Sequence, residues 1–351
     1  MKEFYKERLE LLKSGENFVL ASIFDSQGSA PRTTGARMII RENGSILGTV
    51  GGGKVEALVI QHGIEIFDTK TTILKEYKLQ EAENKGIGMA CGGDVSILME
   101  YVDVESLENI KLYEKVAECF ENGEKAFIIR KFFNDGDNIN YLYKNGEIIF
   151  SSKGIEKEVI EKYSDSVRYR DLMLIKEENA EVLIEPICNL GRLYIFGAGH
   201  VSQKLAQLAK NIDFLVTVVD SRAEFANRER FATTDDIMVP DSFEGCFEQL
   251  KIDKDSYIVI VTSGHMFDLT CLKQALRTNA YYIGMIGSRR KRNIVYDALK
   301  EEGFTLDDFN KVHNPIGIEI GAETPEEIAV SIGAELIKVR RERMIWKIIL
   351  L

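Results

Sequence analysis

Cysteine is sparse and unpatterned in this sequence of 351 residues. The five cysteines, Cys91, Cys119, Cys188, Cys246 and Cys271, form no C-x-x-C pair, and their number is odd. That excludes a small disulfide framework and a zinc ribbon. The four histidines, His62, His200, His265 and His313, do not combine with any cysteine at zinc-site spacing. Long apolar runs are missing too. Met344–Leu351 is interrupted by Lys347 and is too short to span a bilayer. An oligomer contact, a docked tail and a frayed end are all open readings of it. Met1–Lys13 is dense in charge, unlike a secretory leader, so a reduced, cytoplasmic setting is expected. Positive charge is in deficit: a formal net charge of −11 disfavours nucleic acid and anionic membrane as partners. Any anion that binds must be held by a local site.

The composition is otherwise that of a globular protein, with 45% hydrophobic and 29% charged residues. The length favours two domains, expected at residues 1–188 and 189–351, with Pro186–Arg192 punctuating the change of pattern. The front part reads as an α+β mixture. Helices are expected over Lys2–Lys13, Lys54–Phe67, Leu107–Glu121 and Ile155–Tyr163. Strands are expected at Phe18–Phe24, Ala36–Arg41, Ser45–Val50, Asp94–Tyr101, Ala126–Phe133, Asn140–Tyr143, Arg170–Lys176 and Glu181–Glu185. Asn43-Gly44 between two apolar runs signals a hairpin whose two turn residues both tolerate positive φ.

From Leu193 the rhythm becomes β-α-β-α. Strands at Leu193–Phe196, Phe214–Asp220, Ile237–Val239, Tyr257–Thr262 and Tyr281–Ile286 alternate with helices at Val201–Lys210, Phe243–Leu250 and Phe267–Thr278. Uninterrupted apolar strands between helices indicate a parallel sheet covered on both faces. The expected fold is therefore α/β, a C-terminal Rossmann-type parallel sheet with a separate N-terminal α+β domain. Thr324-Pro325-Glu326-Glu327 predicts a capped start for the last helix.

The candidate site lies between the first strand and first helix of that sheet. Gly197 allows a tight turn and Gly199 lets a phosphate approach the backbone. His200 lies in the loop just before a helix whose free N–H groups and dipole favour an anion. Ser202 stands where the G-x-G-x-x-G/A pattern has its last small residue, and is small enough for close packing. Asp220 follows Gly199 by twenty-one residues, where an acid accepts a ribose hydroxyl. Further strand ends carry Thr262–His265 and Gly287–Arg292, and His313–Gly317 is expected at the same rim. Arg289 and Arg290 put cations at a helix start, a conflict with the dipole that a bound anion would offset. A solvated basic surface is the competing reading. His200 and His265 suit proton transfer or plain surface hydrogen bonding.

Two front-half loops are also glycine-rich. Gly51, Gly52 and Gly53, with Lys54, either cradle an anion or serve as a steric hinge. Cys91 sits in Gly88–Gly93, where flexible neighbours and amide dipoles favour a thiolate, although residue chemistry alone leans to a buried inert cysteine.

The combination of Gly28-Ser29-Ala30-Pro31-Arg32, Gly35-Ala36-Arg37, Gly48–Gly53 and Gly88–Gly93 resembles the xanthine dehydrogenase accessory proteins of the XdhC/CoxI type. Phe196–Ser202, Val219–Phe231, Ile286–Arg292 and His313–Ile328 extend the resemblance through the back half. Glu105–Glu185 matches less well, and the tail after Arg341 is private to this sequence.

The resemblance implies a cytoplasmic maturation factor, not itself an enzyme. It would bind molybdenum cofactor, as molybdopterin or its dinucleotide form, and support its sulfuration with a cysteine desulfurase. Its client would be a molybdenum hydroxylase such as xanthine dehydrogenase, and a homo-oligomer is expected. The Rossmann loop then holds the phosphate end, and Cys91 supplies a soft thiolate at the metal–dithiolene end. Two other readings stand beside it: an NAD(P)-dependent oxidoreductase, with Asp220 favouring NAD and Arg222 permitting NADP, and a nucleotide-sensing regulatory module. Hydride transfer to a small substrate separates the first, and copurified pterin or molybdenum identifies a carrier.

Overall fold

The computed structural model describes residues 2–27, 35–77, 94–133, 137–154, 162–163, 172–187 and 191–349. Gly28–Arg32, the Gly88–Gly93 cluster with Cys91, and most of the helix expected at Ile155–Tyr163 lie outside them. By its internal contacts the chain divides into two compact units, Met1–Cys188 and Asn189–Leu351.

In the first unit α1 (Lys2–Ser14) leads into β1 (Phe18–Gln27), the centre of an antiparallel sheet ordered β3-β2-β1-β5-β4. Its other strands are β2 (Arg37–Arg41), β3 (Ile46–Gly48), β4 (Ile73–Tyr77) and β5 (Asp94–Val102). The β1 run is apolar on both parities because both faces are covered. Phe18 and Leu20 join Tyr5, Leu11 and Leu12 of α1 and Leu112 and Val116 of α3 (Leu107–Glu121). Val19, Ala21 and Ile23 pack instead with Val55, Val59 and Ile66 of α2 (Gly53–Thr69). The Asn43-Gly44 hairpin is present, but only Gly44 takes positive φ, at 79°. Ser45 N–H donates to Asn43 Oδ1, so the asparagine braces the turn with its side chain.

A second antiparallel sheet, ordered β8-β7-β6-β10-β9, completes this unit. Its strands are β6 (Ala126–Phe133), β7 (Asn138–Lys144), β8 (Glu147–Ser151), β9 (Met173–Lys176) and β10 (Ala180–Ile187). Pro186 therefore belongs to a strand and not to the linker expected at Pro186–Arg192. There it stands opposite Phe127 of β6. Arg192 likewise opens a strand.

Charge is buried inside this unit. Glu185 of β10 is 1% exposed. Arg130 Nη1 stands 2.7 Å from its carboxylate, Arg37 Nη1 3.0 Å and Arg8 Nη1 3.7 Å, and Tyr5 donates its hydroxyl proton to it. Burial alone would raise this carboxyl, but the three guanidiniums outweigh it and hold Glu185 far below the usual carboxylate range. Strand parity contains the signal for Arg130, which shares a face with Ala126 and Ile128 of the core.

The second unit is a six-stranded, all-parallel sheet ordered β13-β12-β11-β14-β15-β16. The strands are β11 (Arg192–Phe196), β12 (Leu215–Val219), β13 (Asp236–Met238), β14 (Ser256–Ile260), β15 (Tyr282–Met285) and β16 (Val312–His313). Numbered within the unit, the order is 3-2-1-4-5-6, the doubly wound arrangement with its switch point between β11 and β14. Leu193 and Ile195 face α4 (His200–Asn211) and α8 (Pro325–Ile349), whereas Tyr194 and Phe196 face α5 (His265–Ala275) and α6 (Arg289–Glu301). A short helix, α7 (Leu306–Phe309), precedes β16. The helix expected over Phe243–Leu250 is only a single 3-10 turn, Cys246–Gln249, because Gly245 sits at φ 73° and interrupts it. The start of α8 has its capping box: Glu327 N–H donates to Thr324 Oγ1, and Thr324 N–H donates to Glu327 Oε2.

Candidate functional site

Three helices of the second unit begin at the carboxyl edge of the sheet, and two of them begin on glycine. Gly199 caps α4 and Gly264 caps α5, neither with a side-chain hydrogen bond to the free amides. Ser288 does cap α6, accepting from Lys291 N–H at 3.3 Å. The α4 and α5 starts flank the switch point and leave backbone donors there for a ligand.

The two glycines of the first loop differ in what requires them. Gly197 sits at φ 106°, and a Cβ on it would lie 2.6 Å from the Val261 carbonyl oxygen beyond β14. The fold itself demands glycine there. Gly199 has an ordinary extended backbone, φ −77° and ψ −169°, and a Cβ would meet nothing within 4 Å. Among the described residues nothing explains why that position lacks a side chain. Ser202 is fully buried, its Oγ donating to the Gly197 carbonyl at 2.5 Å, so it pins α4 against the loop. His200 and His265 are the exposed first residues of α4 and α5, within helices and not in loops.

Asp220 stands immediately after β12, one residue beyond the strand end at Val219, and is 1% exposed. Its Oδ2 accepts from Ala198 N–H at 2.8 Å, tying the glycine loop to the neighbouring strand. Arg222 engages the same carboxylate through Nε and Nη2 at 2.9 and 2.8 Å. Burial would raise the Asp220 carboxyl, but hydrogen bonds from Arg222 and the loop amide hold it below its usual value.

At the next helix start Thr262 Oγ1 donates to the buried Asp268 at 2.5 Å, and Lys291 pairs with its other oxygen. Burial keeps the Asp268 carboxyl raised against both partners. Arg289 and Arg290 are exposed in the first turn of α6.

Replacing Gly199 by Asp should leave the fold intact, since the site is sterically open, and place a negative charge where a phosphate must approach. Binding of a phosphate-bearing ligand is expected to weaken by about 3 kcal/mol or more. Calorimetric titration of wild type and variant checks this. Equal affinities in a folded variant would remove the loop from the site.

The glycine loop of the first unit is filled by the chain itself. Gly51, Gly52 and Gly53 have φ of 125°, 75° and 64°. Glu56 of α2 accepts from Val50 N–H and Gly52 N–H at 3.2 Å each and from the Thr49 hydroxyl, while Gly51 N–H donates to Thr49 Oγ1 at 3.0 Å. Those donors of the loop are thus engaged by a carboxylate of the chain itself. Glu56 is the residue that sequence reading missed, although an acid in the first helical turn is a capping signal.

The described cysteines are all buried. Cys119 and Cys271 lie inside α3 and α5, and burial raises both thiols. It pushes Cys246 up to about 11. None has thiolate character. Among the described residues no cluster of three or more His, Cys, Asp or Glu could hold a metal ion. No described helix is long and apolar enough to cross a membrane.

The sheet order, the glycine-capped helices and the open Gly199 define a protein with a Rossmann-type unit joined to a separate α+β unit. The chain belongs to the XdhC and CoxI family: residues 193–336 match the model of the XdhC Rossmann domain, and residues 11–78 match that of the XdhC and CoxI family. Over 336 residues it is 28% identical to a Bacillus subtilis protein named as a probable subunit of xanthine dehydrogenase, covering 94% of this chain and 96% of that protein. It is 22% identical to the molybdenum cofactor insertion chaperone PaoD of Escherichia coli, covering 95% of this chain and 86% of PaoD. Identity to the E. coli protein YqeB is 25%, and there the chain spans only 46% of the relative's length. A crystal structure of a xanthine dehydrogenase from Bacillus halodurans superimposes with a TM-score of 0.79 at 26% identity, covering 97% of this chain and 96% of that one.

Proposed function

We propose that this protein is a cytoplasmic carrier that binds molybdenum cofactor and assists its sulfuration and insertion into a xanthine dehydrogenase-type molybdenum hydroxylase, with a cysteine desulfurase as the source of sulfur. The observation that carries the reading is the open, side-chain-free approach to Gly199 beside two uncapped helix starts. A terminal phosphate fits it: backbone N–H groups of α4 and α5 would hold the phosphate, and the dipoles of both helices favour its charge. The similarity to PaoD, whose name states cofactor insertion, supports a molybdenum pterin as the group that bears it.

The cofactor, when bound, supplies a metal–dithiolene centre to the client enzyme. A soft ligand suits that end, and the three described cysteines are buried with raised thiols. Of the other two, Cys91 and Cys188, only Cys91 sits in a glycine cluster, and it is the thiolate we assign to that end. The chain's own work is to bind, orient and shield, so no group for hydride or acyl chemistry is required of it.

Gentle purification from a cofactor-producing host, followed by mass spectrometry of the bound small molecule, tests the carrier. A pterin is expected, and a bound species containing neither pterin nor molybdenum would overturn the reading. Cys91→Ala should abolish activation of the client hydroxylase in extract while phosphate-end binding persists. Full activation by the variant would remove Cys91 from the mechanism.

A further inference from the structure

In a Rossmann site that takes an unmodified ribose, the acid closing the second strand must have lone pairs free to accept the sugar hydroxyls. Asp220 has none to offer. Its Oδ1 accepts from Arg222 N–H at 3.1 Å and Arg222 Nε at 2.9 Å, and its Oδ2 from Ala198 N–H and Arg222 Nη2 at 2.8 Å each. Those donors fill the roughly four acceptor sites of a carboxylate.

The end of β12 presents cations instead. The Arg222 side chain is 37% exposed while that of Asp220 is 1%. The Arg222 guanidinium lies 4.3 Å from the ring centroid of Phe225, and that of Arg230 lies 5.2 Å from the same ring. Arg230 Nη2 reaches the Ala198 carbonyl at 3.4 Å, so both heads stand beside the glycine loop. Arg230 Nε is buried without a hydrogen-bond partner among the described residues. Two guanidiniums against one saturated carboxylate, next to an uncapped helix start, leave unbalanced positive charge where a ribose 2′-substituent falls. Planar guanidiniums match phosphate oxygens well.

We infer that the end of β12 is a phosphate-monoester subsite, so that the cleft takes a dinucleotide phosphorylated on its ribose in preference to one with a free 2′-hydroxyl. The inference rests on the Rossmann cleft being the ligand site, but not on molybdopterin being its ligand.

NADP+ and NAD+ differ only in that phosphate and serve as probes, titrated calorimetrically into the full chain. NADP+ is expected to bind at least roughly tenfold more tightly, with an affinity that falls as salt rises. Arg222→Ala should weaken NADP+ about tenfold and, by freeing Asp220 to accept ribose hydroxyls, strengthen NAD+. A merely structural loss would not produce that gain. Should Arg222→Ala fail to fold, Arg230→Ala decides, and it is expected to weaken NADP+ alone. NAD+ binding as tightly as NADP+, binding of neither, or a selectivity ratio unchanged in the folded variants would each overturn the inference. A protein that copurifies with a pterin yet binds neither nucleotide would leave the carrier function standing. Selective NADP+ binding by a protein that carries no pterin would do the reverse.

Discussion

Gly197→Ala is expected to destabilise the second unit by about 3 kcal/mol or more, combining a left-handed backbone penalty with overpacking. The added methyl would sit 2.6 Å from the Val261 carbonyl oxygen and 2.9 Å from the Thr262 Cα. These are backbone atoms at the end of β14, fixed by the Val261 N–H bond to the Phe196 carbonyl at 2.8 Å, so they cannot move aside cheaply. Gly199→Ala, two residues on, adds its methyl to open space at a φ that any residue adopts, and should change stability by no more than about 0.5 kcal/mol. Denaturant melts of both variants, with hydrogen exchange of the β11 and β14 amides, measure the contrast. Equal midpoints for the two alanine variants would contradict the close approach of the β11 and β14 loops.

Removing the carboxylate from the first unit's core should have an effect at least as large. Glu185→Ala leaves the Arg8, Arg37 and Arg130 side chains buried, with Glu100 at 3.5 Å as the remaining counter-charge to Arg130 among the described residues. Breaking a buried ion pair from one side costs about 3–5 kcal/mol, a large part of the roughly 5–15 kcal/mol that holds a domain folded. The pH dependence follows from the direction of the shift. Glu185 is ionised in the fold well below its usual range, so its stabilisation is complete above the ordinary carboxyl range near about pH 4. It declines as pH falls through that range toward the native-state value, because the unfolded chain then binds the proton first. Glu185→Gln should lower stability at neutral pH and flatten the acid limb of the melt. An unchanged acid limb would show that Glu185 does not carry the dependence.

Much of the second unit was legible because its signals are local. The apolar runs at Leu193–Phe196 and Tyr257–Thr262, the glycines at 197 and 199, and Thr324 before Pro325 each specify backbone within a few residues. The structure puts β11, β14, the α4 start and the α8 cap on those segments. The expected helix over Phe243–Leu250 fails for a local reason as well, since one glycine in the left-handed region outweighs the apolar spacing around it.

Long-range pairing was a different matter. Ile73–Tyr77 and Glu147–Ser151 are short strands whose existence depends on partners, β5 for the first and β7 for the second. Pro186 reads as a break until its place opposite Phe127 of β6 is known. Arg37, Arg130 and Glu185 are far apart in the chain and each looks like a solvent-facing charge, so their shared burial appears only when β2, β6, β10 and α1 meet.

The sequence by itself determined the class of the second unit, its glycine turn and the family, because glycine spacing and hydrophobic period act through bonded neighbours and strand–helix geometry. Tertiary structure decided which charges are free to meet a ligand. It closed the front glycine loop with Glu56, saturated Asp220 with Arg222 and Ala198, and left Gly199 open. A carboxylate or an amide is available only if no closer partner has taken its lone pair or proton, and partners are chosen by distance in space.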